Sequence, residues 1–141
     1  MSSPFKPRQL ALILAALIAA SPAAAQAISE NWNTGACGVT DVAAVTLDRP
    51  AHVRRIDLWF QWRGGETSVR YALSLNGAPF AEGELARADC DPVQGAWCVA
   101  RVEPDTDLEA GIYEFRTARP GVCQNAGSGG RGFIRVYGEA R

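Results

Sequence analysis

Between Arg55 and Arg63 the chain alternates strictly. Ile56, Leu58, Phe60 and Trp62 fall on one side, Arg55, Asp57, Trp59, Gln61 and Arg63 on the other, and Gly64-Gly65 ends the run. A period of two is the mark of a half-buried strand, because successive side chains leave opposite faces of the pleat. Val69, Tyr71, Leu73 and Leu75 form a second apolar face with Arg70, Ala72 and Ser74 opposite. Asn76-Gly77 then predicts a two-residue hairpin turn leading into a strand that runs through Leu85. Trp97 to Val102 reads as a further strand, closed by Pro104 and an acidic turn at Asp105-Thr106-Asp107. Ile112 to Thr117 follows, with Tyr113, Phe115 and Thr117 on one face, and Gly132 to Gly138 is the last strand. An early strand lies around Val39 to Leu47. No stretch after the first 27 residues carries a sustained helical stripe, so short strands separated by Gly, Pro, Asn and Asp predict an all-β, antiparallel β-sandwich.

The first 27 residues differ in kind. Lys6 and Arg8 precede an uncharged apolar run from Leu10 to Ala20, and the small residues Ser21 to Ala27 follow. This is the layout of a cleaved secretory leader, with cleavage after Ala25 or after Ala27. The run is shorter than the roughly 20 apolar residues a bilayer span needs. Residues 1–27 are therefore read as a signal peptide and 28–141 as one domain, exported to the periplasm or the exterior. Lys6 is the only lysine, so losing it with Arg8 takes the formal charge from −1 to about −3. Acidic residues and arginines alternate through the remainder. A clustered basic face for nucleic acid and a basic amphipathic helix for a membrane surface are both missing from the pattern.

Export changes what the four cysteines mean. In an oxidising compartment an even number is most simply two disulfides. Of the three pairings, Cys90–Cys98 across a turn-rich segment with Cys37–Cys123 as the long bridge is preferred. No CxxC pair exists and His52 is the only histidine, which argues against zinc. Asp89, Asp91, Asp105, Asp107 and Glu109 supply hard oxygens in two loops, so calcium is the cofactor to be considered, although no EF-hand pattern is present.

Catalytic constellations are hard to assemble. A lone histidine beside a strand start is read as a surface or capping residue, and no serine occupies a G-x-S-x-G elbow. Asp57, Glu66, Glu82, Glu84 and Glu114 would offer pairs for glycosidase chemistry, but such residues are ordinary on solvated strand faces. Gly127-Ser128-Gly129-Gly130-Arg131-Gly132 lacks the Lys-Ser/Thr ending of a phosphate loop and precedes a strand. It is read as a tight turn, the alternative being that its backbone N–H groups and Arg131 hold an anion. Trp59, beside Gln61 and Arg63 on the outward face, is the candidate platform for a sugar ring or a peptide. The competing reading covers it with the N-terminal segment that carries Trp32.

Leu108-Glu109-Ala110-Gly111-Ile112-Tyr113, the turn from Cys123 through Gln124, Asn125 and Arg131 to Phe133, and the ending Val136-Tyr137-Gly138 resemble the closing segment of secreted bacterial β-sandwich modules of the galactose-binding-like, jelly-roll kind. The resemblance covers the last quarter of the chain well and Leu47 to Trp62 loosely. It implies a jelly roll and names no ligand. In those modules a serine stands where this chain has Cys123, which implies that a disulfide replaces a polar turn contact.

The function expected from these features is a non-catalytic binding module with a carbohydrate or an envelope protein as ligand. Trp59, Gln61 and Arg63 form the first candidate surface, and Asn125 and Arg131 the second. The alternatives are a structural or inhibitory protein acting through a protein interface, and a small hydrolase built on a carboxylate pair.

Overall fold

A computed structural model describes residues 26–141. The leader expected at 1–27 thus lies almost wholly outside the described residues. The strands are β1 (Ala27–Asn31), β2 (Gly38–Thr40), β3 (Val42–Leu47), β4 (Ala51–Gln61), β5 (Ser68–Leu75), β6 (Ala78–Cys90), β7 (Trp97–Val102), β8 (Thr106–Leu108), β9 (Gly111–Thr117), β10 (Val122–Gln124) and β11 (Ile134–Ala140). All pair antiparallel, in the lateral order β1-β11-β4-β7-β6-β5-β9-β3, with β10 bridging β2 and β4, and β8 extending the edge of β4. The sheet curls until its ends meet: Ser29 Oγ on β1 donates to Thr46 O on β3 at 2.7 Å. The result is an all-β antiparallel fold, sandwich-like and nearly closed into a barrel, with disulfides Cys37–Cys123 and Cys90–Cys98 as the spacing favoured.

The core is the set of inward faces that period two selects. Ile56, Leu58, Phe60 and Trp62 are all buried, as are Val69, Leu73, Leu85, Tyr113, Phe115, Ile134 and Val136. Phe60 meets Trp62 edge to face with centroids 4.9 Å apart, a geometry that aromatic quadrupoles favour. Asn76 (φ 51°) and Gly77 (φ 84°) are both left-handed, which is the two-residue turn that matches strand twist. The outer edge of β6 pairs with β7 only from Ala86 onwards. The stretch before it carries Pro79, Glu82, Gly83 and Glu84, residue types that discourage pairing at an exposed edge.

Several expectations need correction. Asp105-Thr106-Asp107 is not simply a turn: residues 106–108 form β8 and pair with Ala51–Val53. The early strand is two strands broken at Asp41, and β11 begins and ends two residues later than its pattern suggested. β1 and β10 were not expected at all. Asp57, placed on a solvated face, is 4% exposed and clamped by Arg101, whose Nε and Nη2 donate at 2.8 and 3.2 Å. Burial of a carboxylate is tolerable here because a fork of charge-assisted bonds replaces its water.

Candidate functional site

Alternation that buries Leu58 and Phe60 necessarily turns Trp59 outward. Cys98 of β7 points into the core and is fully buried, so its neighbour Trp97 also faces out, in register with Gln61. Trp32, just past β1, comes over from the far side. The three indoles form a row, Trp32 to Trp59 at 6.1 Å between centroids and Trp59 to Trp97 at 6.2 Å, the second pair within 18° of parallel. Trp32 also leans on Phe133 at 6.0 Å, and the Arg135 guanidinium lies 4.3 Å from its ring centre. Each indole is half-buried, so each keeps part of its surface in water. Trp32 therefore borders Trp59 and leaves it partly open, which merges the platform and the cover weighed from the sequence.

The row lies in a cleft of about 530 Å³, bounded by Asn33 to Cys37 on one side and Asp91, Gln94 and Trp97 on the other, with Cys123 and Phe133 between. One disulfide lines it, and the other closes a loop that does. Cys37–Cys123 fixes the loop that follows Trp32, and Cys90–Cys98 closes the loop that carries Asp91 and Gln94. That second loop is braced from within: Asp91 Oδ1 accepts from the N–H groups of Val93 at 2.8 Å and Gln94 at 2.9 Å. These two bonds hold the Asp91 carboxyl below the usual carboxylate range.

Of the residues singled out from sequence, Trp59 lies at the centre of this cleft. Gln61 is exposed beside Trp97 at its border, and Arg63 sits beyond the strand end; neither lines it. Asn125 has a different task. Its amide exchanges a reciprocal pair of hydrogen bonds with Asn33, 2.9 and 2.7 Å, donates to Ala36 O, and caps the 3-10 turn Ala126–Ser128. Its polar atoms are thus committed to positioning the loop at 33–36 beside Trp32. Arg131 pairs with Glu114 at 2.9 Å and lines a separate groove with Ser29, Thr46 and Ile112. The structure does not bring Asn125 and Arg131 together as one surface.

The glycine-rich turn, weighed as an anion site, turns its N–H groups from Ser128 onward into the protein. The N–H groups of residues 128–132 all donate within the protein, for example Gly129 to Ala126 O at 3.0 Å and Gly132 to Val42 O at 2.7 Å. Three of the five acidic residues considered for calcium are drawn onto cations: Asp89 pairs with Arg101, Asp105 with His52 and Arg54, and Asp107 with His52 and Arg141. Among the described residues no group of three or more His, Cys, Asp or Glu is disposed to hold a metal ion.

His52 stands at the other end of β4 from Trp59, about 23 Å along the strand at the usual rise per residue. Its Nδ1 lies 2.7 Å from Asp107 and its Nε2 2.8 Å from Asp105. Both nitrogens must donate to satisfy both carboxylates, and these bonds, first with Asp105 and then with Asp107, raise the imidazole's pKa.

Sequence reasoning missed Trp97, Asn33, Asp91 and Gln94 as neighbours of Trp59. A signal for Trp97 existed: an inward Cys98 in a strand forces residue 97 outward. None existed for Asn33, whose place depends on a contact with Asn125 across most of the chain.

No family model matches the chain, and no curated protein matches it. Among solved structures, the chain is similar to a cycloisomaltooligosaccharide glucanotransferase of Paenibacillus sp., solved in complex with cycloisomaltoheptaose, at 18% identity and a TM-score of 0.34. The match covers 85% of this chain but only 17% of the glucanotransferase, so the chain spans a small part of that protein's length. A likeness at that level carries neither fold nor function across.

Proposed function

We propose that this chain is a non-catalytic carbohydrate-binding module of an exported protein, with the tryptophan cleft as its contact surface. The observation that supports the reading is the row Trp32–Trp59–Trp97, open to solvent on the outward face and bordered by Asn33, Gln94 and Asp91. Pyranose rings present an apolar C–H face and an equatorial belt of hydroxyls. Indoles supply the area for the first, and carboxylate and amide groups the hydrogen bonds for the second. Loops closed by disulfides keep the rings in place before the ligand arrives, which lowers the ordering cost of binding.

Several features weigh against catalysis at this cleft. Hydrolysis of a glycosidic bond by the common route needs two carboxyl groups, and among the described residues Asp91 is the one carboxylate lining the cleft. His52 is remote, and both of its nitrogens are engaged by aspartates. The test is titration of the oxidised protein with soluble neutral oligosaccharides, followed by tryptophan fluorescence and calorimetry. Saturable binding that perturbs indole emission is the expected result. An array of glucan, xylan, mannan and chitin oligomers that leaves both signals unchanged would remove the carbohydrate reading.

A further inference from the structure

We infer that the cleft selects glycans bearing a free amino group, 2-amino-2-deoxy sugar units, over their neutral and acidic counterparts. The inference rests on the carbohydrate reading above and concerns the charge that the ligand carries. Among the described residues, Asp91 is the one charged residue lining the cleft. Its neighbour Asp89 shows what a neutralised carboxylate looks like here, with Arg101 Nη2 at 2.7 Å. Asp91 has no such partner among the described residues; its Oδ1 is occupied by two backbone N–H groups of its own turn, which stabilise the ionised form without cancelling its charge. The cleft thus holds a fixed negative charge.

The aromatic walls add to this field. An indole face is the negative side of a quadrupole, and a cation within about 6 Å of the ring centre is attracted to it. Trp32 already accepts the Arg135 guanidinium in this way at 4.3 Å, and among the described residues no arginine lines the cleft to serve Trp59 or Trp97. An ammonium group carried on a sugar ring would gain the indole faces and the Asp91 carboxylate together, whereas a neutral sugar gains only stacking and hydroxyl bonds. A uronate or a sulfated sugar would meet repulsion. Cation–π and exposed ion-pair contributions of the ordinary size together correspond to a preference of about ten-fold.

The experiment compares, in mildly acidic low-salt buffer, the affinity of the oxidised protein for a glucosamine oligomer, its N-acetylated counterpart, an oligogalacturonate and free choline. The amine-bearing oligomer should bind about ten-fold more tightly than the N-acetylated one, and the margin should shrink as salt is added. Asp91→Asn, whose Oδ1 can still accept the two backbone bonds, removes the ion-pair share and leaves the indole faces, so it should cut the ratio to about three-fold while leaving the melting temperature near that of the unmodified protein. Equal affinity for both oligomers, a preference undiminished in Asp91→Asn, or tighter binding of the galacturonate would each overturn the inference and leave the carbohydrate reading standing. Choline binding as tightly as the glucosamine oligomer would overturn it too, since the sugar would then contribute nothing. Failure of every oligosaccharide to bind would remove both.

Discussion

Replacing two tryptophans of the cleft one at a time separates contact surface from packing. Trp59 stands between two indoles, with centroid separations of 6.1 and 6.2 Å, whereas Trp97 stacks on Trp59 alone. An aromatic pair contributes about 0.5–1.5 kcal/mol beyond the area it buries, so on pair terms Trp59→Ala forfeits about 1–3 kcal/mol and Trp97→Ala about half of that. For a domain of this size each kcal/mol moves the melting temperature by roughly 4 °C, which places Trp97→Ala roughly 2–6 °C below the unmodified protein and Trp59→Ala roughly 4–12 °C below it. Both variants should lose at least about ten-fold in affinity for the best glycan ligand, because a stacked aromatic anchor is the type of residue on which binding energy concentrates. Thermal melts followed by circular dichroism, with calorimetric titration on the same samples, supply both numbers. Unchanged affinity in Trp97→Ala would refute the cleft as the contact surface, and a lower melting point for Trp97→Ala than for Trp59→Ala would refute the packing arithmetic.

Peptide mapping of the unreduced protein should recover Cys37–Cys123 and Cys90–Cys98; on the chain-entropy model the longer loop is worth about 4.6 kcal/mol and the shorter about 2.6, so Cys123→Ser should melt below Cys98→Ser. A methyl group added at Gly121 would run into the ring of Phe60, which is fully buried, so Gly121→Ala should cost about 1–3 kcal/mol of overpacking. Phe60→Leu should recover part of that loss in denaturant melts of the double variant, and strictly additive losses would show that the ring is free to yield. The Asp105–His52–Asp107 clip should stabilise the fold over a limited pH window. The raised His52 contribution is complete below the free imidazole's 6.5 and fades as pH rises through the folded value, and the lowered Asp107 contribution is complete above 3.8 and fades as pH falls. The melting difference between the unmodified protein and His52→Ala should therefore be largest between those limits and shrink on either side; a difference independent of pH would mean that the imidazolium is not what holds the two aspartates.

The parts of the fold legible in the sequence are those fixed by period two. The inward set Ile56, Leu58, Phe60 and Trp62 follows from alternation alone, and the Asn76-Gly77 turn follows from the left-handed backbone that those residue types tolerate. What escaped has a common physical cause. β1 and β10 are short and exist because they pair with distant strands, β1 with β11 and β10 with β2 and β4, so their own residues carry little periodicity. Asp57 looked solvated because its partner, Arg101, lies 44 residues away. Asn125 and Arg131 looked like ligand donors because they are polar residues in a turn, and only coordinates show that one braces Asn33 and the other pairs with Glu114.

The two disulfides take on a second meaning once their places are known. By loop entropy they act on the unfolded chain, and any location in the fold would serve. Here each one borders a segment that shapes the cleft: Cys37 ends the stretch that begins at Trp32, and Cys90–Cys98 encloses Asp91, Gln94 and Trp97. These segments have little regular structure to hold them, since residues 32–37 lie between β1 and β2 and residues 91–96 between β6 and β7. Hydrogen bonds from Asn125 and within the Asp91 turn brace them, but those bonds are part-buried or exposed and are worth about 1 kcal/mol each. The cross-links therefore hold the two segments that flank the row of indoles. Glycan affinity should fall on mild reduction before the far-ultraviolet signal of the sheet is lost, because the strands retain their buried core while the two flanking segments are released. Coincident loss of binding and of sheet signal would show that the bridges serve the fold as a whole and give the cleft nothing of its own.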